Sequence, residues 1–242
     1  MKRAWLQFFR VVNVPTVPGD VLAGAAVAWT SVGPTVCGGM ARPFFAALAS
    51  IAIYLFGMAD NDIVGAATDD ASRPIPAGAL TLGAAKVARM LCLGATLILG
   101  AFANIGAEWW IVMAVLLASI VGYNRTKNCV LMGLCRGLNF LAGIAVVVPF
   151  LSGGLPPKGD LVWMVGLFLL WTLFITFVTK YSEGEHLEPR RKQIVGILIG
   201  SLIYLQLIVL VLFPVRAFLV AGAAMLVALR LMKRLLPEVS AS

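Results

Sequence analysis

Four carboxylates lie close together in YLFGMADNDIVGAATDDASRPIPAG, residues 54 to 78. Asp60, Asp62, Asp69 and Asp70 fall within eleven positions of a chain in which only 12% of the residues are charged. Carboxylates gathered at a membrane boundary repel one another unless a cation lies between them. Magnesium prefers oxygen ligands and is commonly held by one or two carboxylates together with substrate phosphates. The stretch therefore indicates a site for a metal-bound phosphate.

The spacing within this stretch gives a first idea of its geometry. If the preceding helix continues through it, Asp62 and Asp69 share one helical face, because they are seven residues apart, with Gly65 between them. Arg73 precedes Pro74, which would end the helix, and its planar guanidinium is suited to a phosphate oxygen. The alternative interpretation is a solvated loop whose charges only fix the topology of the chain.

A second group of polar residues follows further along the chain. The sequence YNRTK places Tyr123 and Lys127 four residues apart, hence on one helical face. Arg136 and Asn139 lie within an apolar run, where each needs a polar partner. Lys127 alone would be interpreted as a basic anchor that reaches the membrane surface. Together with Tyr123 and Arg136, it favours an anion site.

Two further places hold candidate polar residues. In KYSEGEHLEPRRK, residues 180 to 192, Glu183 lies closest to the preceding apolar run and is the glutamate best placed to reach the other helices. The remaining two glutamates of this stretch indicate a solvated loop. Near the start, Asn13 and Asp20 flank or enter the first apolar run, where a carboxylate is costly unless it is bonded. A structural contact and a role in substrate binding are both open for Asp20.

The elements that must position these residues are membrane helices. Hydrophobic residues make up 61% of the 242 residues, and runs of about 20 apolar residues, long enough to cross a bilayer, recur along the chain. We predict an all-α, polytopic transmembrane helix bundle in a single domain, residues 1–242, with residues 1–13 as a short interfacial helix. The eight predicted spans are 14 to 32, 44 to 60, 81 to 104, 108 to 122, 131 to 151, 161 to 180, 193 to 213 and 215 to 236.

The basic residues predict the orientation of this bundle. With eight spans, only Arg42, Lys158 and Arg216 of the 19 lysines and arginines lie on the side opposite the termini. By the positive-inside rule, both termini and the acidic connections face the cytoplasm, in what we expect to be a bacterial cytoplasmic membrane. The net charge of +8 is spread over loop ends, which disfavours nucleic acid as a partner. The expected partner is the lipid bilayer, and no obligate protein partner is inferred.

Taken together, these motifs resemble the UbiA superfamily of intramembrane prenyltransferases, in particular its EboC-like and related bacterial branches. Members carry NDxxDxxxD followed by RPIP after the second helix, YxxxK after the fourth, and, in the EboC-like branch, an opening of the form R..N..T...D.laG. The matching residues are Asn61, Asp62, Asp69, Arg73, Pro74, Ile75, Pro76, Tyr123, Lys127, Arg10, Asn13, Thr16, Asp20 and Gly24. The chain departs from the family in three ways. It has Gly65 where the motif has its middle aspartate, and it offers only glutamates for the second Asp-rich motif. It also has eight predicted spans rather than nine.

The resemblance implies transfer of a prenyl group from a prenyl diphosphate to an acceptor, with Mg²⁺ assisting the loss of diphosphate. In this interpretation the helices surround a central cavity that accepts the isoprenoid chain. The implied metal ligands are Asn61, Asp62, Asp69 and Glu183. The implied substrate-binding residues are Asn13, Asp20, Arg73, Lys127, Arg136 and Asn139. Tyr123 and Lys127 are the implied catalytic residues, with Tyr123 steadying the leaving group or the developing cation.

Two other functions compete with this one. Gly65 motivates a noncatalytic relative that binds or moves a lipid-linked metabolite, and restoring a carboxylate by Gly65→Asp would then create magnesium-dependent activity. A transporter of small solutes fits a helix bundle but not the crowding of acids and phosphate-binding cations on one side. The identity of the acceptor and the length of the prenyl chain depend on the shape of the cavity rather than on any motif.

Overall fold

A computed structural model describes residues 2–32, 39–102, 106–148, 157–182 and 189–236. These residues form a bundle of nine α-helices, which confirms the predicted all-α class. Two 3-10 segments, Val11–Thr16 and Gly65–Ala67, precede α2 and follow α3. The helices are α1 (Lys2–Phe8), α2 (Pro18–Val32), α3 (Ala41–Val64), α4 (Leu82–Phe102), α5 (Ala107–Thr126), α6 (Cys129–Ala145), α7 (Lys158–Ser182), α8 (Pro189–Leu212) and α9 (Arg216–Leu235).

Helices α2 to α9 follow the eight predicted apolar runs in order and position. Among the described residues, five segments are long and apolar enough to cross a membrane, and two shorter apolar helices accompany them. The count of eight spans therefore stays a prediction. The five segments are Val11–Val32, Ala41–Ala67, Leu82–Phe102, Ala107–Thr126 and Lys158–Tyr181. Helix α5 is longer than the predicted run of 108 to 122 and continues through Tyr123 to Thr126.

The N-terminal segment packs onto the bundle. Phe8 is fully buried in a cluster with Ala59 of α3, Ala85 of α4 and Leu80, which precedes α4. Arg10 follows α1 with a left-handed backbone, φ 45°, which turns the chain into the 3-10 segment and then into α2. A non-glycine residue in this conformation is uncommon and is retained where surrounding contacts hold it. The end of α1 is therefore packed into the fold, whereas Lys2 and Arg3 are exposed.

Helix α2 is the most deeply buried helix among those described, and it crosses α6 at very short distance. A Cβ atom placed on Gly24 would lie 2.0 Å from the carbonyl oxygen of Phe140, and one on Gly143 would lie 2.0 Å from that of Val21. The backbones touch at both points, so only glycine fits. Small residues are the usual means by which membrane helices approach this closely. This contact sets where α2 and α6 present their polar side chains.

The acidic stretch is not a continuous helix, so the predicted shared helical face for Asp62 and Asp69 is wrong. Helix α3 ends at Val64, and after the 3-10 turn the backbone N–H of Asp69 donates to the carbonyl of Gly65 at 2.7 Å. Residues 65 to 72 are small or polar and have no large apolar side chain to pack. Their side chains bond the local backbone instead, as where Asp70 accepts from the N–H of Ser72 at 2.7 Å.

Candidate active site

The last turns of α3 carry two buried aspartates with different surroundings. Asp60 is 2% exposed and is fully bonded, because it accepts from Arg89 Nη1 at 2.8 Å and from Asn124 Nδ2 at 2.9 Å. Asn124 also donates to the carbonyl of Gly57. Asp60 thus ties α3 to α4 and α5. Its role is structural.

Asp62 is equally buried but is only half satisfied. Its Oδ1 lies 3.5 Å from Arg10 Nη2 and 3.5 Å from Asn61 Nδ2. Its Oδ2 is buried without a hydrogen-bond partner among the described residues, and so is Nη1 of Arg73. Asp62 interacts electrostatically with both Arg73 and Asp69. Buried polar atoms without partners are rare in proteins, so this end of α3 has free capacity for a polar ligand.

Lys127 joins the same cluster from the end of α5. Its left-handed backbone, φ 55°, caps that helix, and its N–H donates to the carbonyl of Tyr123 at 2.7 Å. The Nζ atom donates to Oδ1 of Asn61 and lies 5.8 Å from the centre of the Tyr123 ring. A cation at this distance from an aromatic face is attracted to it. Lys127 thus lies at the C-terminal cap of α5 rather than on a helical face with Tyr123, and its ammonium group reaches Asn61 of α3 beside the Tyr123 ring.

The electrostatic environment of Lys127 shows that the charged residues converge. Partial burial lowers the pKa of Lys127, and the nearby guanidinium groups of Arg10 and Arg73 lower it further. The carboxylates of Asp69 and Asp62 act in the opposite direction and raise the pKa. Three cationic and two anionic side chains thus influence one another at the cytoplasmic end predicted for the bundle.

A cavity of about 260 Å³ lies beside this cluster. Most of its wall is apolar, with side chains from α3, α5, α6, α7 and α8. Arg10 lines the cavity and also contacts Asp62, so it connects the cavity to the charged cluster. A hydrocarbon chain can enter such a space with little loss of solvation. The polar residues in the wall are Arg10, Asn13, Thr16, Ser50, Tyr54, Tyr123, Asn124, Arg136, Asn139 and Thr179.

Asp20 lies behind the cavity as the centre of a buried polar network. Its Oδ1 accepts from Trp171 Nε1 at 2.8 Å and from Gln206 Nε2 at 2.6 Å. Its Oδ2 accepts from Asn139 Nδ2 at 3.2 Å and pairs with Arg136 Nη1 at 3.2 Å. The side chain is fully buried. Of the two roles left open by the sequence, these four partners favour the structural one.

The network orients Arg136 and Asn139, two of the α6 residues that line the cavity. Nη2 of Arg136 donates to the carbonyl of Thr16 at 3.2 Å, while Oδ1 of Asn139 accepts from Ser50 at 2.6 Å. Asn13 also borders the cavity, and its backbone N–H donates to the carbonyl of Arg10 at 2.9 Å. Asn13, Arg136 and Asn139 therefore line one cavity, and their role in substrate binding stays a prediction.

The donor set fits a metal held largely by phosphate. Among the described residues, no group of three or more His, Cys, Asp or Glu side chains is arranged to hold a metal ion alone. Asp62 has a free buried oxygen, and Asp69 is close enough to act on it electrostatically. Magnesium held by one or two carboxylates and completed by substrate phosphates requires no more than this. Glu183, the further predicted ligand, lies outside the described residues.

Two residues of this site were not selected from the sequence. Arg10 was matched only as part of an opening pattern, although it contacts Asp62 and lines the cavity. Tyr54, whose hydroxyl lies 3.5 Å from the carbonyl of Arg10, stands in an apolar stretch of α3 and looks like core. The sequence does offer one indication of the role of Arg10, because a basic residue just before a membrane span can reach acidic residues on the same side of the membrane.

Comparison with known proteins identifies solved structures of similar fold. No protein-family model matches the sequence, and no curated protein matches it. The structure is similar to that of a digeranylgeranylglyceryl phosphate synthase, with a TM-score of 0.57 and 18% identity over 99% of this chain and 92% of that one. It is also similar to a UbiA homologue from Archaeoglobus fulgidus solved with GPP and Mg²⁺ and with DMAPP and Mg²⁺, at a TM-score of 0.55 and 12% identity over 97% of this chain and 87% of that one.

These likenesses show that the chain has the fold of the UbiA homologues. They agree with the resemblance drawn from the motifs at residues 61 to 76 and 123 to 127. Assignment to the EboC-like branch stays a prediction.

Proposed function

We propose that this chain is a member of the UbiA superfamily and acts as an integral membrane prenyltransferase that moves a prenyl group from a prenyl diphosphate to an acceptor. The observation that supports this most directly is the pair of unpartnered buried atoms, Asp62 Oδ2 and Arg73 Nη1, beside Lys127. An apolar cavity adjoins them through Arg10. A charged head with a hydrocarbon tail is the kind of ligand that satisfies both features.

Each part of the site has a distinct task in this reaction. Arg73, Lys127 and Arg10 bind the diphosphate and stabilise the charge that it gains as the carbon–oxygen bond breaks. Asp62 and Asp69 are the carboxylates that would hold Mg²⁺, with Asn61 beside them. The metal would neutralise further charge on the departing diphosphate.

Tyr123 has the position for a role at the reacting carbon. Its side chain borders the cavity, and its ring lies near the ammonium of Lys127. An aromatic face attracts a cation, including the allylic cation that develops as diphosphate leaves. The apolar wall of the cavity keeps water from this cation, which would otherwise be captured by water to give the prenyl alcohol. Arg136 and Asn139, held by Asp20, lie on the same cavity and would orient the acceptor or the substrate.

The solved neighbours support the substrate class. The Archaeoglobus fulgidus homologue was solved with prenyl diphosphates and Mg²⁺. We extend that chemistry to this chain because its own residues provide the matching cations, carboxylates and apolar space. We propose that it resides in a bacterial cytoplasmic membrane with the charged cluster and both termini on the cytoplasmic side.

The test is prenyl transfer by purified protein. Labelled prenyl diphosphates of several lengths are incubated with the protein and membrane lipid extract, with and without Mg²⁺, and the products are identified by mass spectrometry. Asp62→Ala and Asp69→Ala should each reduce transfer by about 100-fold or more, because each removes a group that stabilises developing charge. Protein abundance should not change.

Asp70→Ala is the matched control. Asp70 is exposed, its carboxylate bonds Ser72, and it interacts electrostatically with Arg73, so its substitution should reduce transfer far less than that of Asp62 or Asp69. Wild-type turnover in the Asp62→Ala or Asp69→Ala protein would remove the metal assignment.

Gly65 favours one other function, a noncatalytic protein that binds prenyl diphosphates or lipid-linked metabolites. In that case the wild-type protein would bind a prenyl diphosphate in the presence of Mg²⁺ and release it unchanged. Mass spectrometry of the lipids that co-purify with the protein would then identify the bound metabolite.

A further inference from the structure

The position of Asp69 depends on the absence of a side chain at residue 65. A Cβ atom built on Gly65 would lie 2.4 Å from Oδ2 of Asp69, 2.5 Å from Oδ1 and 2.6 Å from Cγ. Cβ atoms essentially never approach other heavy atoms closer than 3.0 Å. The carboxylate of Asp69 therefore occupies the space that any side chain at residue 65 would need.

Backbone conformation does not explain this glycine. Gly65 has φ −78° and ψ −5°, in the ordinary right-handed region that every L-residue adopts. Glycine costs conformational entropy when it replaces alanine in such a region. The glycine is needed for space alone.

The turned-back carboxylate contributes to the charged cluster. Asp69 interacts electrostatically with Lys127 and with Asp62. A short loop makes this possible, because both Thr68 and Asp69 donate their N–H groups to the carbonyl of Gly65. The loop folds Asp69 onto the end of α3, next to Asp62.

We propose that Gly65 is a positioning residue, which lets Asp69 supply the second carboxylate of the diphosphate site from the place that a side chain at residue 65 would fill. The proposal rests on the proposed function for the use of that carboxylate. It has a clear consequence. A carboxylate introduced at residue 65 would take the place of the Asp69 carboxylate, so the site would still have two carboxylates rather than three. Gly65 then does not mark a degenerate site.

The first experiment tests the packing without any ligand. The midpoint of thermal unfolding in detergent is measured for Gly65→Ala in the wild-type and in the Asp69→Ala background. Gly65→Ala should be less favourable in the wild-type background, where the new methyl group must displace the Asp69 carboxylate. In the Asp69→Ala background it should raise the midpoint by about 1 to 3 °C, since alanine suits the backbone and the carboxylate is gone.

Gly83→Ala is the control for this cycle. Gly83 lies at the start of α4 with no atom within 4 Å of its Cβ position, so the effect of its substitution should be the same in both backgrounds. An equal effect of Gly65→Ala in both backgrounds would overturn the proposal, because Gly65 would then not act through Asp69.

The second experiment tests the role in binding, with inorganic pyrophosphate and Mg²⁺ as the probe in calorimetry. Asp69→Ala and Gly65→Ala should each weaken binding by about 10- to 100-fold, and the double variant should bind no more weakly than Asp69→Ala alone. Gly65→Asp in the Asp69→Ala background should recover binding, whereas Gly65→Asp alone should not exceed the wild type.

The outcomes separate the two proposals. Wild-type affinity in the Gly65→Ala protein would show that this glycine has only a structural role, and a large gain of binding or activity from Gly65→Asp alone would overturn the exchange. Absence of Mg²⁺-pyrophosphate binding by the wild type would instead contradict the proposed function, while the unfolding cycle would still decide whether Gly65 positions Asp69.

Discussion

Two aspartates two residues apart on α3 show how different the tasks of similar residues can be. Asp60 and Asp62 are both 2% exposed, yet Asp60 has strong partners on two neighbouring helices and Asp62 keeps one oxygen free. A buried carboxylate that is fully bonded stabilises the fold, whereas one that is not stays available to a ligand. The pattern of the sequence identified the stretch, but only the partners distinguish the two residues.

The pKa of Lys127 leads to a prediction of pH dependence. Partial burial lowers this pKa below its ordinary value of 10.5. Binding of pyrophosphate with Mg²⁺ should therefore weaken as pH rises through the lowered pKa, at a pH where an ordinary lysine is still charged. In the same window the unfolded chain holds more protons on Lys127 than the folded chain, so the contribution of this residue to stability rises with pH.

Lys127→Arg separates this effect from others. Arginine stays charged throughout the window, so the alkaline loss of binding should move to higher pH in this variant. The measurement is the pH profile of pyrophosphate affinity for both proteins. Identical alkaline limbs would show that Lys127 does not carry the dependence.

The network around Asp20 could not be predicted from the sequence. Its partners Asn139, Trp171 and Gln206 are separated from it by 119, 151 and 186 residues, and no local pattern encodes such pairing. The sequence did show that an aspartate in an apolar run needs partners. It could not show whether these are protein or substrate.

Asp20→Asn decides between those roles. It removes the charge that faces Arg136 and turns an amide N–H toward donors, so the free energy of unfolding should fall by about 3 to 5 kcal/mol, as expected when one member of a buried ion pair is lost. Thermal unfolding in detergent measures this. The double variant Asp20→Asn, Arg136→Met should recover part of the lost free energy of unfolding. Unchanged stability with abolished binding of prenyl diphosphate would make Asp20 a substrate ligand instead.

At the scale of elements, the contact of α2 with α6 fixes the frame of the site. Gly24 and Gly143 make reciprocal backbone contacts, and the same two helices carry Asp20, Arg136 and Asn139. A change in the distance between these helices would therefore move the polar network and the cavity wall together.

Gly143→Ala should be strongly destabilising for this reason. Its methyl group would meet the carbonyl oxygen of Val21, so α2 and α6 must separate, at a cost of about 1 to 3 kcal/mol or more. Gly94→Ala on α4 is the control, because no atom lies within 4 Å of that Cβ position, and alanine is the better helix former. Thermal unfolding should give opposite signs for the two variants. Equal effects would contradict the close crossing.

The sequence predicted the helices better than their ends. Continuous apolar runs locate α2 to α9, since a membrane helix needs about 20 such residues. The end of α3 was missed because Asp62 and Asp69 have helical spacing, although Gly65 and the polar residues after it favour a turn. Helical spacing shows only that two residues could share a face, not that the helix continues between them.

For the whole molecule, the distribution of basic residues predicts the orientation. Cysteines introduced at Arg42 and Lys158 should react with an impermeant maleimide added to intact cells, whereas cysteines at Lys86 and Arg125 should react only after permeabilisation. All of these should be made in a background without the native cysteines. Labelling of position 125 from outside would reverse the proposed orientation.

The seating of Phe8 under α3 and α4 has a practical side. The first ten residues supply both a core aromatic ring and, through Arg10, a contact to Asp62. Deleting these residues would remove the Phe8 side chain from its contacts with α3 and would also remove the guanidinium of Arg10 from Asp62. An affinity tag placed at the carboxyl end leaves both contacts in place.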